Sequence, residues 1–296
     1  MDRIKEIGYA KVNLHLDITG RTDDGYHTVQ TVMQSISLCD EVMLTRRADG
    51  EIVITCNVPG VPTDQSNLAY RAADLLRTRL GERGGFDIHI EKHIPMAAGM
   101  AGGSADAAAV LRGVNRLYAE ALTVDELCAV AAGLGADVPF CVMGGTAYAD
   151  GRGDVLHPFA QMPACAIVAA CGGQGVSTPW AYRCLDERYQ NFDGTAYTPV
   201  GTERLAAAMR SGELAQIARC LYNIFEEPIL SERPVADEIR RSMRELGALG
   251  AMMSGSGPSV FGLFGDDESA KTAAEALCAR GVFATACRTV SPCLVP

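Results

Sequence analysis

Apolar and polar residues alternate over Ile7 to Thr19 (IGYAKVNLHLDIT), which predicts a strand, and Phe86 to Ile94 (FDIHIEKHI) predicts another by the same period of two. Val29 to Glu41 is strand-like, and Val42 to Val58 holds two more short strand patterns. Thr146 to His157 reads as a strand, a Gly151-Arg152-Gly153 turn and the start of another. The spacing turns helical in Asn67 to Leu80, where Leu68, Ala72, Leu75 and Leu76 share a face behind Ser66 or Asn67 as N-cap. Thr123 to Leu134 is a further helix, opened by a Thr-Val-Asp-Glu capping box and ended by Gly133 and Gly135.

Pro158 and Pro163 interrupt the pattern, and it restarts with a buried strand at Ala164 to Ala170. A helix at Trp180 to Leu185 and a polar loop from Asp186 to Thr202 follow, then helices at Glu203 to Met209, Leu214 to Tyr222 and Val235 to Leu246. Ser254-Gly255-Ser256-Gly257 stands ahead of an apolar strand reaching Phe264. Ala270 to Ala279 is helical, and Phe283 to Val290 is a closing strand. Mixed elements over 296 residues predict an α+β protein of two domains, 1–158 and 159–296, because one core rarely serves so long a chain.

A hydrophobic share of 48% supports complete folding. No apolar run of about 18 residues is present, and Met1 to Ala10 lacks a basic start and apolar middle, so a cytoplasmic protein without a membrane partner is expected. The eleven cysteines are odd in number, scattered and without a C-x-x-C pair, which reads as small buried hydrophobes rather than disulfides or a metal site. A net charge of −10 repels nucleic acid, so an anionic ligand needs locally placed donors.

Such donors gather in Pro95 to Ala109 (PMAAGMAGGSADAAA), where a glycine loop runs from a strand into an alanine-rich helix ending near Tyr118. Gly99, Gly102 and Gly103 let several N–H groups turn toward one point, and a helix beginning at Ser104 or Asp106 adds its unsatisfied donors. The segment fits neither the Walker A nor the dinucleotide pattern, so it is a different phosphate cradle or a flexible turn before a core helix.

Lys11 and Asn13 share one face of the first strand, where a polar pair is unusual; Lys11 either reaches solvent at an edge or meets a phosphate or a reacting hydroxyl. Tyr26 and His27 follow a tight turn at Asp24-Gly25 and serve either as packing or as recognition of a planar base. Asp137, between small and apolar neighbours, reads equally as a turn residue or cap and as a carboxylate paired with Lys11.

Together AKVNLHLDITGRTDDGYH, PMAAGMAGGSADAAA and MMSGSGPSVFGLF resemble the three motifs of the galactokinase, homoserine kinase, mevalonate kinase and phosphomevalonate kinase (GHMP kinase) family. The resemblance implies an amino-terminal ribosomal-protein-S5-domain-2-like domain and a carboxy-terminal ferredoxin-like α/β sandwich, with ligands in the cleft between them. It also implies ATP as co-substrate with Mg²⁺, and phosphoryl transfer to the 2-hydroxyl of a small molecule, 4-diphosphocytidyl-2-C-methyl-D-erythritol, as the DGYH stretch suggests. Asp137 then matches the catalytic aspartate and Lys11 its partner, with Asn13 in the same polar shell. Tyr26 and His27 match groups that hold the cytosine, and Tyr182 an aromatic residue closing over its other face.

For ATP, the matching positions are Pro95, Met96, Ala97, Ala98, Gly99, Met100, Ala101, Gly102, Gly103, Ser104 and Ala105, with Asn67 and Asn115 lining the adenosine pocket. The Ser254 to Pro258 loop supports the cradle. Met100, Ala101 and Ala105 stand where many members carry leucine, glycine and a second serine. Ala101 therefore places a Cβ where the backbone needs φ > 0, and phosphate contacts are expected from Ser104 and backbone N–H groups. Metal ligands are not marked by any carboxylate cluster, and monomer and weak homodimer stay open. Competing readings are a kinase of homoserine, mevalonate or a sugar, an RNA-binding module, which the acidic balance opposes, and a silent nucleotide sensor.

Overall fold

The computed structural model describes residues 2–189, 192 and 197–292. In chain order the elements are β1 (Arg3–Arg21), β2 (His27–Arg47), β3 (Ile52–Cys56), α1 (Leu68–Arg79), β4 (Gly85–Glu91), α2 (Gly102–Leu117), α3 (Val124–Ala132), α4 (Val138–Met143), β5 (Thr146–Asp150) and β6 (Val155–Pro158). They continue as β7 (Ala166–Cys171), α5 (Thr178–Arg188), α6 (Glu203–Ser211), α7 (Leu214–Arg219), β8 (Tyr222–Asn223), α8 (Glu226–Glu232), α9 (Pro234–Glu245), β9 (Gly250–Met253), β10 (Val260–Phe264), α10 (Asp267–Cys278) and β11 (Phe283–Arg288).

Among the described residues, one sheet runs β3-β4-β2-β1-β8, with β5 on β2 and β6 on β5; the second runs β11-β7-β10-β9. The long β2 is one strand and does not break at Val42, because it pairs with β1 throughout while β5 takes its first half and β4 its second. The alanine-rich α2 lies buried against β1, its small side chains allowing close approach. One hydrophobic core joins both sheets: Val12 and Leu14 of β1 belong to the same cluster as Ile167 of β7 and Phe261 of β10.

Several elements differ from the sequence expectation for a tertiary reason. The helix expected to reach Tyr222 ends at Arg219, and Tyr222-Asn223 instead form β8, parallel to β1 at His15 and Leu16. Helix α8 lacked a sequence signal of its own and packs on α5 and α9. Helix α5 continues to Arg188, so Asp186 stands on a helix and not in the expected loop, part of which lies outside the described residues. Strand β4 stops at Glu91 rather than at Ile94. The N–H groups of His93 and Ile94 leave the ladder to donate to Oδ1 of Asp40, at 2.6 and 2.8 Å.

Candidate active site

The polar pair of β1 is buried, which removes the reading of Lys11 as a solvent-reaching edge residue. Register shifts between Tyr9 and Lys11 and between Asn13 and His15 flank the pair, and bulges of this kind re-aim side chains. Lys11 Nζ donates to Asn13 Oδ1 at 2.8 Å. The Asn13 amide cannot turn away, because its Nδ2 donates to Thr31 Oγ1 at 2.8 Å and Thr31 Oγ1 donates to the His15 carbonyl at 2.7 Å. Asp137 Oδ1 is 3.6 Å from Lys11 Nζ, with side-chain exposures of 38% and 5% respectively. Asp137 stands at the N-cap position of α4 yet makes no capping bond with its side chain, so its carboxylate is left to the lysine and the cavity.

The cradle is held from behind by the third motif. Ser254 Oγ donates to the Gly99 carbonyl at 3.2 Å, Ser259 N donates to the Ala98 carbonyl at 3.2 Å, and Lys11 N donates to the Met100 carbonyl at 3.2 Å. Three segments far apart in sequence thus meet through backbone oxygens and leave backbone N–H groups for the other side. Helix α2 starts at Gly102, not at Ser104 or Asp106: its N-cap is Ala101 in the left-handed region at φ 57°, with no side-chain cap. The donors of Gly102, Gly103 and Ser104 therefore have no intrahelical acceptor and no capping side chain competes for them, which is what an anion site requires. Ala97 also has positive φ, 50°, and each such alanine costs about 1 to 2 kcal/mol that the surrounding contacts offset.

A cavity of about 940 Å³ runs along this surface. Lys11, Asn13 and Asp137 line it, as do Pro95 to Gly99, Ala101 to Ser104, Asn67, Tyr26, His27 and Tyr182. Met100 and Ala105 point into the core instead. Asn67 reaches the wall while capping α1: its Oδ1 accepts from Ala69 N at 2.8 Å and its Nδ2 donates to the Pro62 carbonyl at 2.6 Å. Asn115 is not among the lining residues. Its amide clamps both backbone groups of Leu122 at 2.9 Å, near the C-terminal end of α2.

Lys92 and Asp106 line the same cavity and were missed by the sequence reading. A signal existed, since Lys92 continues the inward register of Phe86, Ile88 and Ile90 past the end of β4. Lys92 Nζ donates to Asp106 Oδ2 at 2.8 Å and to Asp40 Oδ2. One ammonium serves two buried carboxylates, and Asp106 Oδ1 has no hydrogen-bond partner among the described residues. Burial, opposed by Lys92 and reinforced by Asp40, pushes the Asp106 carboxyl up to about 7.

The folded protein therefore binds this proton more tightly than the unfolded chain, and the stability it brings is complete at low pH and fades as pH rises toward 7. Asp106→Asn removes the excess carboxylate. The Tm of the variant relative to wild type should rise as pH goes from about 5 to about 8, the span around that proton's release; a constant difference across thermal melts in this range would count against the shared proton.

At the other end of the cavity, Tyr26 is 58% exposed and carries the Arg152 guanidinium 3.9 Å above one face, leaving the other face open. Arg152, read from sequence as a turn residue, also pairs with Asp24 at 2.6 Å. His27 stacks on Tyr182 with centroids 4.5 Å apart and planes 27° apart, so Tyr182 rests on the imidazole rather than standing free across the cavity. Burial pushes the Tyr182 hydroxyl up to about 12, which keeps it neutral.

The GHMP kinase N-terminal domain model matches residues 67–145 and the GHMP kinase C-terminal model residues 205–282. The chain is 46% identical over 274 residues to the 4-diphosphocytidyl-2-C-methyl-D-erythritol kinase of Synechococcus sp. (strain JA-3-3Ab), covering 92% of this chain and 88% of that protein. A crystal structure of 4-(cytidine 5'-diphospho)-2C-methyl-D-erythritol kinase superposes with a TM-score of 0.81 at 36% identity, over 97% of this chain and 99% of that one. The homoserine kinase of Cytophaga hutchinsonii, at 20% identity and a TM-score of 0.75 over 99% and 96% of the two chains, shares the fold.

Proposed function

The chain belongs to the GHMP kinases, in the branch of the 4-diphosphocytidyl-2-C-methyl-D-erythritol kinases, and from that premise we propose how its residues divide the work. The protein transfers the γ-phosphoryl group of ATP to the 2-hydroxyl of 4-diphosphocytidyl-2-C-methyl-D-erythritol, a step of isoprenoid precursor synthesis. The observation that carries the division of roles is the meeting of Lys11 and Asp137 beside an open glycine cradle in one cavity.

Phosphoryl transfer passes through a loose transition state, so alignment and charge neutralisation supply most of the rate. The free N–H groups at the start of α2 hold the phosphates, and removing one preorganised donor of this type costs about 3 to 4 kcal/mol. Asp137 accepts the hydrogen bond of the attacking hydroxyl and directs its lone pair along the line of transfer. Lys11, fixed by Asn13, places its ammonium where charge builds on the transferring oxygens. No covalent intermediate is required.

Among the described residues no group of three or more His, Cys, Asp and Glu is arranged to hold a metal. Mg²⁺ bound to the triphosphate would find hard oxygen donors in Ser104 and Asp137 on the cavity wall and would neutralise phosphate charge. Among the described residues no helix is long and apolar enough to cross a membrane. The described cysteines other than Cys141 are free thiols, which supports action in a reducing, ATP-rich cytoplasm.

The cytidine end lies against Tyr26, His27 and Tyr182, where stacking contributes about 1 to 3 kcal/mol per base. ADP release measured with the cytidine substrate and with its uridine counterpart tests this. We expect kcat/KM to favour cytidine by about tenfold or more, as for one missing hydrogen bond at a base edge. Equal rates would remove base reading from this wall, and faster turnover of homoserine or mevalonate would overturn the substrate.

A further inference from the structure

Asn223 is buried and is not among the residues lining the catalytic cavity, yet its amide holds the loop that braces the cradle. Its Nδ2 donates to the Met253 carbonyl at 2.7 Å and to the Gly255 carbonyl at 2.9 Å, one on either side of Ser254. Its Oδ1 accepts from Phe225 N at 3.0 Å. We propose that Asn223 is a positioning residue for phosphoryl transfer: by clasping the third motif to the first strand, it sets the cradle at its working distance from Lys11 and Asp137. The inference rests on the reading of the glycine loop as the holder of the ATP phosphates.

Two donors on one nitrogen with an acceptor beside them are what a primary amide carries, whereas a carboxylate of the same size offers lone pairs only. The partners also fix which way the amide points. Turned over, it would set Oδ1 against two carbonyls and its NH₂ against the Phe225 N–H.

The backbone of Asn223 belongs to β8, which pairs parallel to β1 at His15 and Leu16, and Ile224 N donates to the Leu16 carbonyl at 3.0 Å. The amide therefore ties the strand that carries Lys11 and Asn13 to the loop after β9. At the other end of this tie, Ser254 Oγ accepts from Asn13 N at 3.3 Å and donates to the Gly99 carbonyl at 3.2 Å. One hydroxyl thus touches both the strand of the reacting pair and the turn of the cradle, and Asn223 holds the carbonyls before and after it. Two other braces do not use the Asn223 amide, namely Ser259 N on the Ala98 carbonyl and Lys11 N on that of Met100. Without the amide the cradle should still form and bind phosphate, but out of line with the attacking hydroxyl. A misplacement of about 1 Å is enough to slow a reaction by about 10²-fold.

Asn223 also borders a second cavity of about 490 Å³, from which water can reach the carbonyls freed in Asn223→Ala, so this variant should fold. Product formation and titration of a non-hydrolysable ATP analogue should show kcat lower by about 10- to 100-fold and a Kd weaker by no more than about threefold. Asn223→Asp keeps the size and the acceptor for Phe225 N but turns lone pairs toward two carbonyls, and should lose at least as much kcat. Because Asn223 acts through Ser254, the double variant Asn223→Ala/Ser254→Ala should turn over within about threefold of the slower single variant rather than showing the product of both losses.

A kcat in Asn223→Ala within about threefold of wild type overturns the proposal. A loss of analogue affinity as large as the loss of kcat overturns it as well, by marking general damage to the cradle, and so do independent losses in the double variant. Failure of both Asn223 variants to fold would make the residue a determinant of the fold alone, against the proposal. The cradle reading is checked apart from these: an ATP analogue that leaves the wild-type backbone amide signals of Met96 to Ser104 unmoved in nitrogen-15 NMR would defeat that reading, whatever the variants do.

Discussion

Asp137→Ala should lower kcat by about 10³-fold, the usual contribution of a positioned acid or base, with little change in the Kd for ATP. The two effects separate because the carboxylate contacts Lys11 and the cavity, while the cradle is built from Ala97 to Ser104 and braced by Ser254 and Ser259. Folding should survive, since the Asp137 side chain caps nothing. Lys11 keeps its bond to Asn13 when the carboxylate goes. Steady-state ADP release together with titration of a non-hydrolysable ATP analogue reads both quantities. Turnover near the wild-type rate would take Asp137 out of the catalytic role, and a large loss of nucleotide affinity would place it on the phosphates instead.

Gly99→Ala should damage the cradle more than any other single methyl group. Gly99 has φ 79°, and a Cβ there would lie 2.5 Å from the Ser254 carbonyl oxygen and 3.2 Å from that of Gly257. Both obstacles are backbone, and Ser254 is tied by its own N–H to Ser259 at 2.8 Å, so neither can give way locally. Left-handed alanine adds about 1 to 2 kcal/mol before the clash is counted. The expected result is a lower Tm and a Kd for ATP weaker by about tenfold or more, which is 1.4 kcal/mol or more of lost binding. Gly103→Ala is the contrast, for its Cβ would meet only Leu68 Cδ1 at 3.9 Å and should leave Tm nearly unchanged. An unaltered Tm and ATP affinity in Gly99→Ala would show that the loop does not need the third motif against it.

Local order was legible from the residues alone wherever a short-range cause decides it. The period of two in Ile7 to Thr19 put Lys11 and Asn13 on one face, and the structure keeps them there, hydrogen-bonded to each other. The Thr123 capping box forms as its spacing requires, with Thr123 Oγ1 accepting from Glu126 N while the Glu126 carboxylate accepts from Thr123 N. The glycine loop leading into α2 was visible because glycine and alanine set backbone freedom and helix propensity within a few residues.

Tertiary structure decided whatever depends on which distant segments share a core. Asn115, polar and within the expected nucleotide half, holds Leu122 because the turn after α2 needed its carbonyl and N–H satisfied. Lys92 faces the cavity because Asp40 and Asp106 wait there, and Tyr222 leaves its helix because β1 offers an open edge. Asp186 reaches His27 across 159 residues only once α5 packs beside the first sheet. Lys11 and Asp137 meet for the same reason: a chain's periodicity fixes which way each residue points on its own element, while the pairing of two elements is chosen by the burial of apolar surface that neither can hide alone.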